Sequence, residues 1–246
     1  MTGAMHSRKC VALLDTLMVN DVLSYLDMCQ REGLSLQRGM NFRAGGDYSI
    51  ILMSRRPNAP YRDRIEDNGA TLVYEGHDVP ARAGQADPKL MDQPRISFRG
   101  SLTENGKFEE AVRRYKANQS PPERVRVYEK IRDGIWSYNG LFHLVDSWVE
   151  GDGRRNVFKF KLITTGDSSL EAGEGAGDLE TTRVIPSNVK LVVWKRDGGR
   201  CVQCGATDNL HFDHIIPYSR GGTSLHADNI QLLCARHNLA KRDRIE

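Results

Sequence analysis

Two interleaved ligand sets in the last third of the chain limit what it can fold into more than any other feature. Cys201-Val-Gln-Cys204 and Cys234-Ala-Arg-His237 share a two-residue gap and stand about thirty residues apart. Tetrahedral zinc takes thiolate and imidazole, and each such knuckle supplies one edge of the tetrahedron. Cys201, Cys204, Cys234 and His237 are therefore expected to hold a structural zinc. Asp213, His214 and Asn238 lie between and beside these thiols. An acid, a neutral imidazole and an amide oxygen suit a hard, oxygen-loving cation and a general base rather than a second zinc.

The intervening pattern completes a small module. Leu210–Ile216 reads as a strand, Gly221-Gly222 as a loop and Ile230–Lys241 as a short helix. From Gly199 to Lys241 the segment resembles the HNH nuclease family in its zinc-knuckle, ββα-metal form. It departs from the family pattern at His237, where a fourth cysteine is usual, and imidazole is an equally good ligand at that spacing. Hydrolysing a phosphodiester needs an activated water and neutralised charge at the phosphate and leaving oxygen. The resemblance implies that His214 is the general base, since an ordinary histidine pKa of ~6.5 leaves it mostly neutral at cellular pH. It further implies that Asp213 and Asn238 hold one catalytic Mg²⁺, with Mn²⁺, Co²⁺ or Ni²⁺ as substitutes, and that the side chain of Asn229 braces the loop carrying the base. Outside that frame a histidine beside an aspartate is usually structural. His211 and His226 keep the structural reading, although strand alternation puts His211 on the same face as Asp213.

Upstream, the texture is different. Val11, Leu14, Met18, Val22, Tyr25, Leu26 and Cys29 recur near a 3.6-residue period, which predicts one or two amphipathic helices over Cys10–Arg31, capped at Ser7 or Asn20. Cys10 and Cys29 are expected to be buried reduced thiols. Five β-branched and aromatic runs follow, at Tyr48–Met53, Ala70–Tyr74, Val125–Tyr128, Gly140–Trp148 and Val157–Ile163, interrupted by a helical segment at Glu104–Ala117. Short strands with few helices predict a curved sheet or open barrel. Thr164–Asp178 is rich in Gly and acid and reads as a linker. Arg183–Asp197 leads, partly as helix, into the zinc module. The fold class is α+β, divided into an N-terminal helical segment (1–37), a sheet domain (38–163), an acidic linker (164–182) and the metal module (183–246).

The sheet domain carries motifs of its own. Tyr61-Arg-Asp-Arg-Ile-Glu-Asp-Asn-Gly with Leu72-Val-Tyr-Glu-Gly76, Tyr138–Trp148, and Val157-Phe-Lys-Phe-Lys-Leu162 are similar to the SET-and-RING-associated (SRA, or YDG) domain. The usual YDG triplet stands as Tyr138-Asn139-Gly140, and Ala44-Gly-Gly-Asp-Tyr48 would be a first strand. The resemblance implies a crescent-shaped β-barrel that flips a modified cytosine out of the duplex. A flipped base needs aromatic planes and an acceptor for its amino group. Tyr61 and Tyr74 would be the planes and Asp63 the acceptor. Glu75, where the family more often has a small hydroxyl residue, would widen the pocket beyond a methyl group. Without the resemblance, the tyrosines would read as barrel packing and the acids as turn formers.

Charge and composition narrow the function. The chain has 246 residues and a net charge of +3, unevenly spread. Residues 1–163 and 183–246 each carry a surplus of four basic side chains, whereas 164–182 hold five acids and no base. Surplus Lys and Arg serve phosphate binding, though such a surplus also occurs in domains that never meet DNA. No run approaches the ~20 apolar residues of a membrane span, and no secretion signal opens the chain, so a cytoplasmic protein with no membrane partner is expected. The two modules in this order resemble SRA-HNH modification-dependent restriction endonucleases. The expected partner is double-stranded DNA containing 5-methylcytosine or a bulkier modified cytosine such as 5-hydroxymethylcytosine, and the expected role is defence against modified phage DNA. An HNH nicking enzyme anchored by its front domain, or a non-catalytic modified-DNA reader, are the alternatives. One active site per chain makes a homodimer the expected means of cutting both strands.

Overall fold

The computed structural model describes residues 17–44, 46–81, 86–165 and 184–245. Cys10, Ser7 and the start of the expected N-terminal helix lie outside the described residues, as does nearly all of the expected acidic linker. The architecture is mixed α+β. Contacts group the chain into two units, one built from Met1–Leu34, Ile131–Gly140 and Arg183–Glu246, the other from Ser35–Lys130 and Leu141–Thr182. Of the expected N-terminal helical segment (1–37), the described residues 17–34 are grouped with the metal module and 35–37 with the other unit.

The metal-module unit is a short antiparallel sheet backed by helices. Its strands are β1 (Asp21–Ser24), the first residues of β7 (Ile135–Gly151), β9 (Leu210–His214) and β10 (Ile230–Cys234). β1 pairs with β7 through Val22↔Ser137 and with β9 through Val22↔Leu210, while β9 pairs with β10 through Asp213↔Gln231 and His214↔Ile230. Where an amphipathic helix was expected from Cys10, Asp21–Ser24 is a strand, and the helix α1 spans Tyr25–Glu32. Two partner strands claim the Asp21–Ser24 backbone, and this pairing outweighs the 3.6-residue pattern. Asn20 does not start this helix. Ser24 caps it, its hydroxyl accepting from the Asp27 amide at 3.1 Å. Cys29, on α1, is a free thiol and only half-buried. Val22, Ile185, Val193, Leu210, Phe212 and Leu232 form the core with helix Ser187–Arg196 (α3 in chain order). The expected helix over Ile230–Lys241 is a strand followed by a shorter helix, Ala235–Lys241 (α4), because Ile230–Cys234 is wholly buried and paired with β9.

The other unit is a seven-stranded open sheet in the order β2-β3-β6-β7-β8-β5-β4. The new strands are β2 (Met40–Asn41), β3 (Ser49–Met53), β4 (Arg64–Glu66), β5 (Thr71–Glu75), β6 (Glu123–Arg132) and β8 (Asn156–Thr164). β2 and β4 end the order without pairing to each other, so the sheet does not close. Helix α2 (Glu104–Lys116) starts at Thr103, whose hydroxyl accepts from the Gly106 amide at 3.2 Å, and lays Phe108 and Val112 on the core. The expected strand at Ala44–Tyr48 is instead a connection between β2 and β3, with Gly45 outside the described residues. Gly46 there has φ +89°, a conformation incompatible with a regular strand.

Candidate active site and base pocket

The four knuckle residues converge. The ligand atoms of Cys201, Cys204, Cys234 and His237 all lie within 4.8 Å of one another. Cys204 Sγ and Cys234 Sγ are 3.8 Å apart. His237 Nδ1 lies 3.3 Å from Cys201 Sγ and 3.4 Å from Cys234 Sγ. A tetrahedral ion with Zn–S bonds of about 2.3 Å has S–S edges of about 3.8 Å and slightly shorter S–N edges, so this donor set fits zinc in chemistry and spacing. Burial works against the Cys201 thiolate, yet hydrogen bonds from the Cys234 backbone and the His237 side chain bring its pKa down to about 6. A thiolate is the form a metal takes.

β9 delivers the next group. It ends at His214, whose Nε2 is 2.8 Å from Ser224 Oγ, and Asp213 precedes it. Asn229 clamps the loop that follows. Its Oδ1 accepts from the Ile216 amide at 2.8 Å, and its Nδ2 donates to the carbonyls of Ile216 at 3.2 Å and Thr223 at 3.0 Å. The clamp leaves no room at Gly222, where a Cβ would lie 1.8 Å from the Ile216 carbonyl oxygen. Asn238 sits on α4, which packs against β9.

Sequence reasoning missed Lys241 and Ser224. The Lys241 side chain is buried, and its ammonium donates to the His214 carbonyl at 2.6 Å and pairs with Asp213 Oδ2 at 3.0 Å. Lys241 follows Asn238 by three residues, one helical turn, a spacing that places both on one side of α4 and was the available signal. His211 is not drawn toward Asp213. Its Nδ1 lies 2.6 Å from Asp21 Oδ1, so it serves to bind β1 to β9.

The sheet unit gathers Tyr61, Asp63, Tyr74 and Glu75 around β5. The Asp63 carboxylate accepts from the amides of Ser54 and Glu75, both at 3.1 Å. Burial pushes its pKa from 3.8 up to about 7, and the two amides only partly offset this. Tyr74 is buried among Met53, Phe108 and Phe160, and presents its hydroxyl, 3.0 Å from His77 Nε2. Tyr61 stacks on the His77 ring and has the Lys89 ammonium 4.1 Å from its ring centre.

Glu75 faces a buried ion network. Its Oε2 lies 2.9 Å from Lys159 Nζ and accepts from the Arg62 amide at 3.2 Å, while Arg155 stands 3.8 Å from Oε1 and 2.6 Å from Asp78. Lys159, Arg155 and His77 were not legible beforehand. Lys159 and Lys161 are alternate residues of one strand with nothing in the sequence to separate them, yet Lys159 is buried and Lys161 is not. Asn139 belongs to the metal-module unit, where its Oδ1 accepts from the buried Lys190 ammonium at 2.7 Å.

Residues 201–244 match the HNH endonuclease family. A histone-lysine N-methyltransferase specific for H3 lysine 9, SUVH1 of Arabidopsis thaliana, is 28% identical over 134 residues, 49% of this chain and 18% of that protein. The chain thus spans less than a fifth of this curated relative. Among solved structures, the SRA domain of SUVH5 in complex with hemi-methylated CG DNA is 23% identical with a TM-score of 0.41, covering 60% of this chain and 88% of that one. The modification-dependent TagI restriction endonuclease is 20% identical with a TM-score of 0.41, covering 90% of this chain and 76% of that one.

Proposed function

We propose, from the premise that residues 201–244 are an HNH endonuclease module, that this chain is a modification-dependent DNA endonuclease: it reads 5-methylcytosine or a bulkier modified cytosine by base flipping and hydrolyses a phosphodiester nearby. The observation that carries the catalytic half is His214 at the end of β9, with Nε2 on Ser224, Asp213 beside it and Asn229 bracing the loop, in the same module as a Cys₃His cluster of zinc geometry. His214 takes the proton from the attacking water. Asn229 keeps the base from drifting, and Lys241 fixes the strand end through the His214 carbonyl. Asp213 and Asn238 would hold a divalent cation, Mg²⁺ or a substitute. Such an ion, when bound, supplies charge neutralisation at the phosphate and leaving oxygen.

The reader half rests on Tyr61, Tyr74, Asp63 and Glu75 meeting around β5. Tyr61 offers a stacking plane, Asp63 an acceptor for the amino group, and the Glu75–Lys159 pair a polar neighbour able to meet a polar 5-substituent such as hydroxymethyl. We take the site of action to be cytoplasmic, the role to be restriction of modified phage DNA, and a second copy of the chain to supply the cut in the opposite strand. The deciding experiment offers the zinc-loaded protein one duplex in methylated, hydroxymethylated and unmodified versions with Mg²⁺. Cutting confined to modified duplex is expected. Equal cutting of all three would leave a nicking enzyme of weak specificity, and binding without cutting would leave a reader alone.

A further inference from the structure

A planar heterocycle of the protein's own already engages the two tyrosines assigned to the flipped base. The His77 ring lies 5.2 Å from the Tyr61 ring at an interplanar angle of 13°, and its Nε2 is 3.0 Å from the Tyr74 hydroxyl. An offset stack on one aromatic face and a hydrogen bond at a ring nitrogen are contacts that a flipped pyrimidine would also make. The backbone behind the ring is pinned by Asn105, whose Oδ1 accepts from the His77 amide and whose Nδ2 donates to the His77 carbonyl, each at 2.8 Å. Gly39 closes the other side, since a Cβ there would come within 2.7 Å of both His77 Nε2 and the Tyr74 hydroxyl. With the main chain held, only the side-chain torsions of His77 are left to clear the space. Burial lowers its pKa to about 4, against the pull of Asp78 and Glu104, so the ring that must move carries no charge.

We propose that His77 occupies the base pocket of the reader: in the DNA-free protein its side chain stands in the place of the flipped base, and it rotates away when a base stacks on Tyr61. This rests on the modified-cytosine reading above. Every entering base meets the same displacement cost. A base with weak stacking and no substituent contacts therefore seldom stays extruded, and a modified cytosine, with more surface to stack, stays bound with its affinity reduced by that cost.

The test uses the full chain without added magnesium, so that the duplexes stay whole. Binding of His77→Ala, His77→Gln and Tyr61→Ala is compared with the parent on a duplex carrying one central 5-methylcytosine and on its unmodified twin, with 2-aminopurine beside the target base to report extrusion. Since part of the stacking free energy of an entering base is spent on displacing the ring, His77→Ala should bind modified duplex about three- to tenfold tighter. The 2-aminopurine signal should rise on both duplexes, while unmodified affinity, set by phosphate contacts, changes little. Unchanged or weaker binding of modified duplex by a His77→Ala protein with the parent's Tm overturns the proposal. If that variant loses stability, His77→Gln decides: it keeps a partner for the Tyr74 hydroxyl but cannot stack, and a failure to tighten binding is again fatal. Tyr61→Ala separates the two readings. If it keeps the parent's preference for modified DNA, the reader assignment itself fails; if it loses that preference while neither His77 variant gains affinity, only the displacement fails.

Discussion

At the residue scale, His214 and Asp63 carry the sharpest expectations. Removing a positioned general base costs about 10²- to 10⁴-fold in rate. His214→Ala should therefore lose at least about a hundredfold of its cleavage rate and keep its affinity for modified duplex, measured by single-turnover cutting alongside equilibrium binding. A parallel loss of both would make His214 structural. For Asp63, burial raises the folded-state pKa from 3.8 to about 7. A carboxyl shifted this way contributes stability that is full below about pH 4 and is lost as pH rises through about 7. His77 works in the opposite sense, its lowered pKa contributing stability that is lost as pH falls from 6.5 toward about 4. Between pH 6.5 and 8 Asp63 is tested by difference: Cys201 and His77 titrate alike in both proteins, so the Tm of the parent relative to that of Asp63→Asn, which cannot ionise, should fall across this window. Identical profiles would mean that Asp63 is ionised throughout.

At the element scale, the loop between β9 and β10 is held by one side chain and one missing side chain. Asn229 makes three hydrogen bonds across it, and Gly222 lies against the Ile216 carbonyl with no room for a Cβ. Gly222→Ala should push Ile216 and the Asn229 amide away, at a cost of about 1–3 kcal/mol from overpacking, and slow cutting without changing which duplex is bound. A variant with parent-like Tm and rate would show that the loop yields freely. Asn229 was legible only through the family resemblance, which implied its bracing role. Lys241 was not. Its three-residue spacing from Asn238 gives only the side of α4 it lies on, and its burial between a carbonyl and a carboxylate follows from how α4 packs on β9.

At the scale of the molecule, the two contact units cut across chain order, since residues before Leu34 and around Ile131–Gly140 group with the metal module. In so small a core, metal binding supplies folding free energy. Cys204→Ser should therefore lose zinc by elemental analysis and lose hydrogen-exchange protection in β1, α1 and residues 135–137 as well as in 184–245, while 46–81 stay protected. Protection that survives in β1 and α1 after zinc loss would show that they fold independently of the module. Asp213→Ala should keep zinc.

What the sequence alone determined is whatever local spacing enforces. Two-residue gaps make the knuckles, the local pattern puts Asp213 and His214 on a strand, and apolar runs in the sheet unit become strands because their residues fit a half-buried pleat wherever they pair. The tertiary structure alone decided which backbone pairs with which. Asp21–Ser24 became a strand because β7 and β9 flank it, Lys159 was buried and Lys161 was not because the register sets Glu75 opposite Lys159 and Val73 opposite Lys161, and His77 came to rest on Tyr61 because Asn105 and Gly39 hold it there. These outcomes depend on groups tens of residues apart in the chain. A one-dimensional pattern does not encode such distances, and the energy of pairing and burial appears only once the chain has folded.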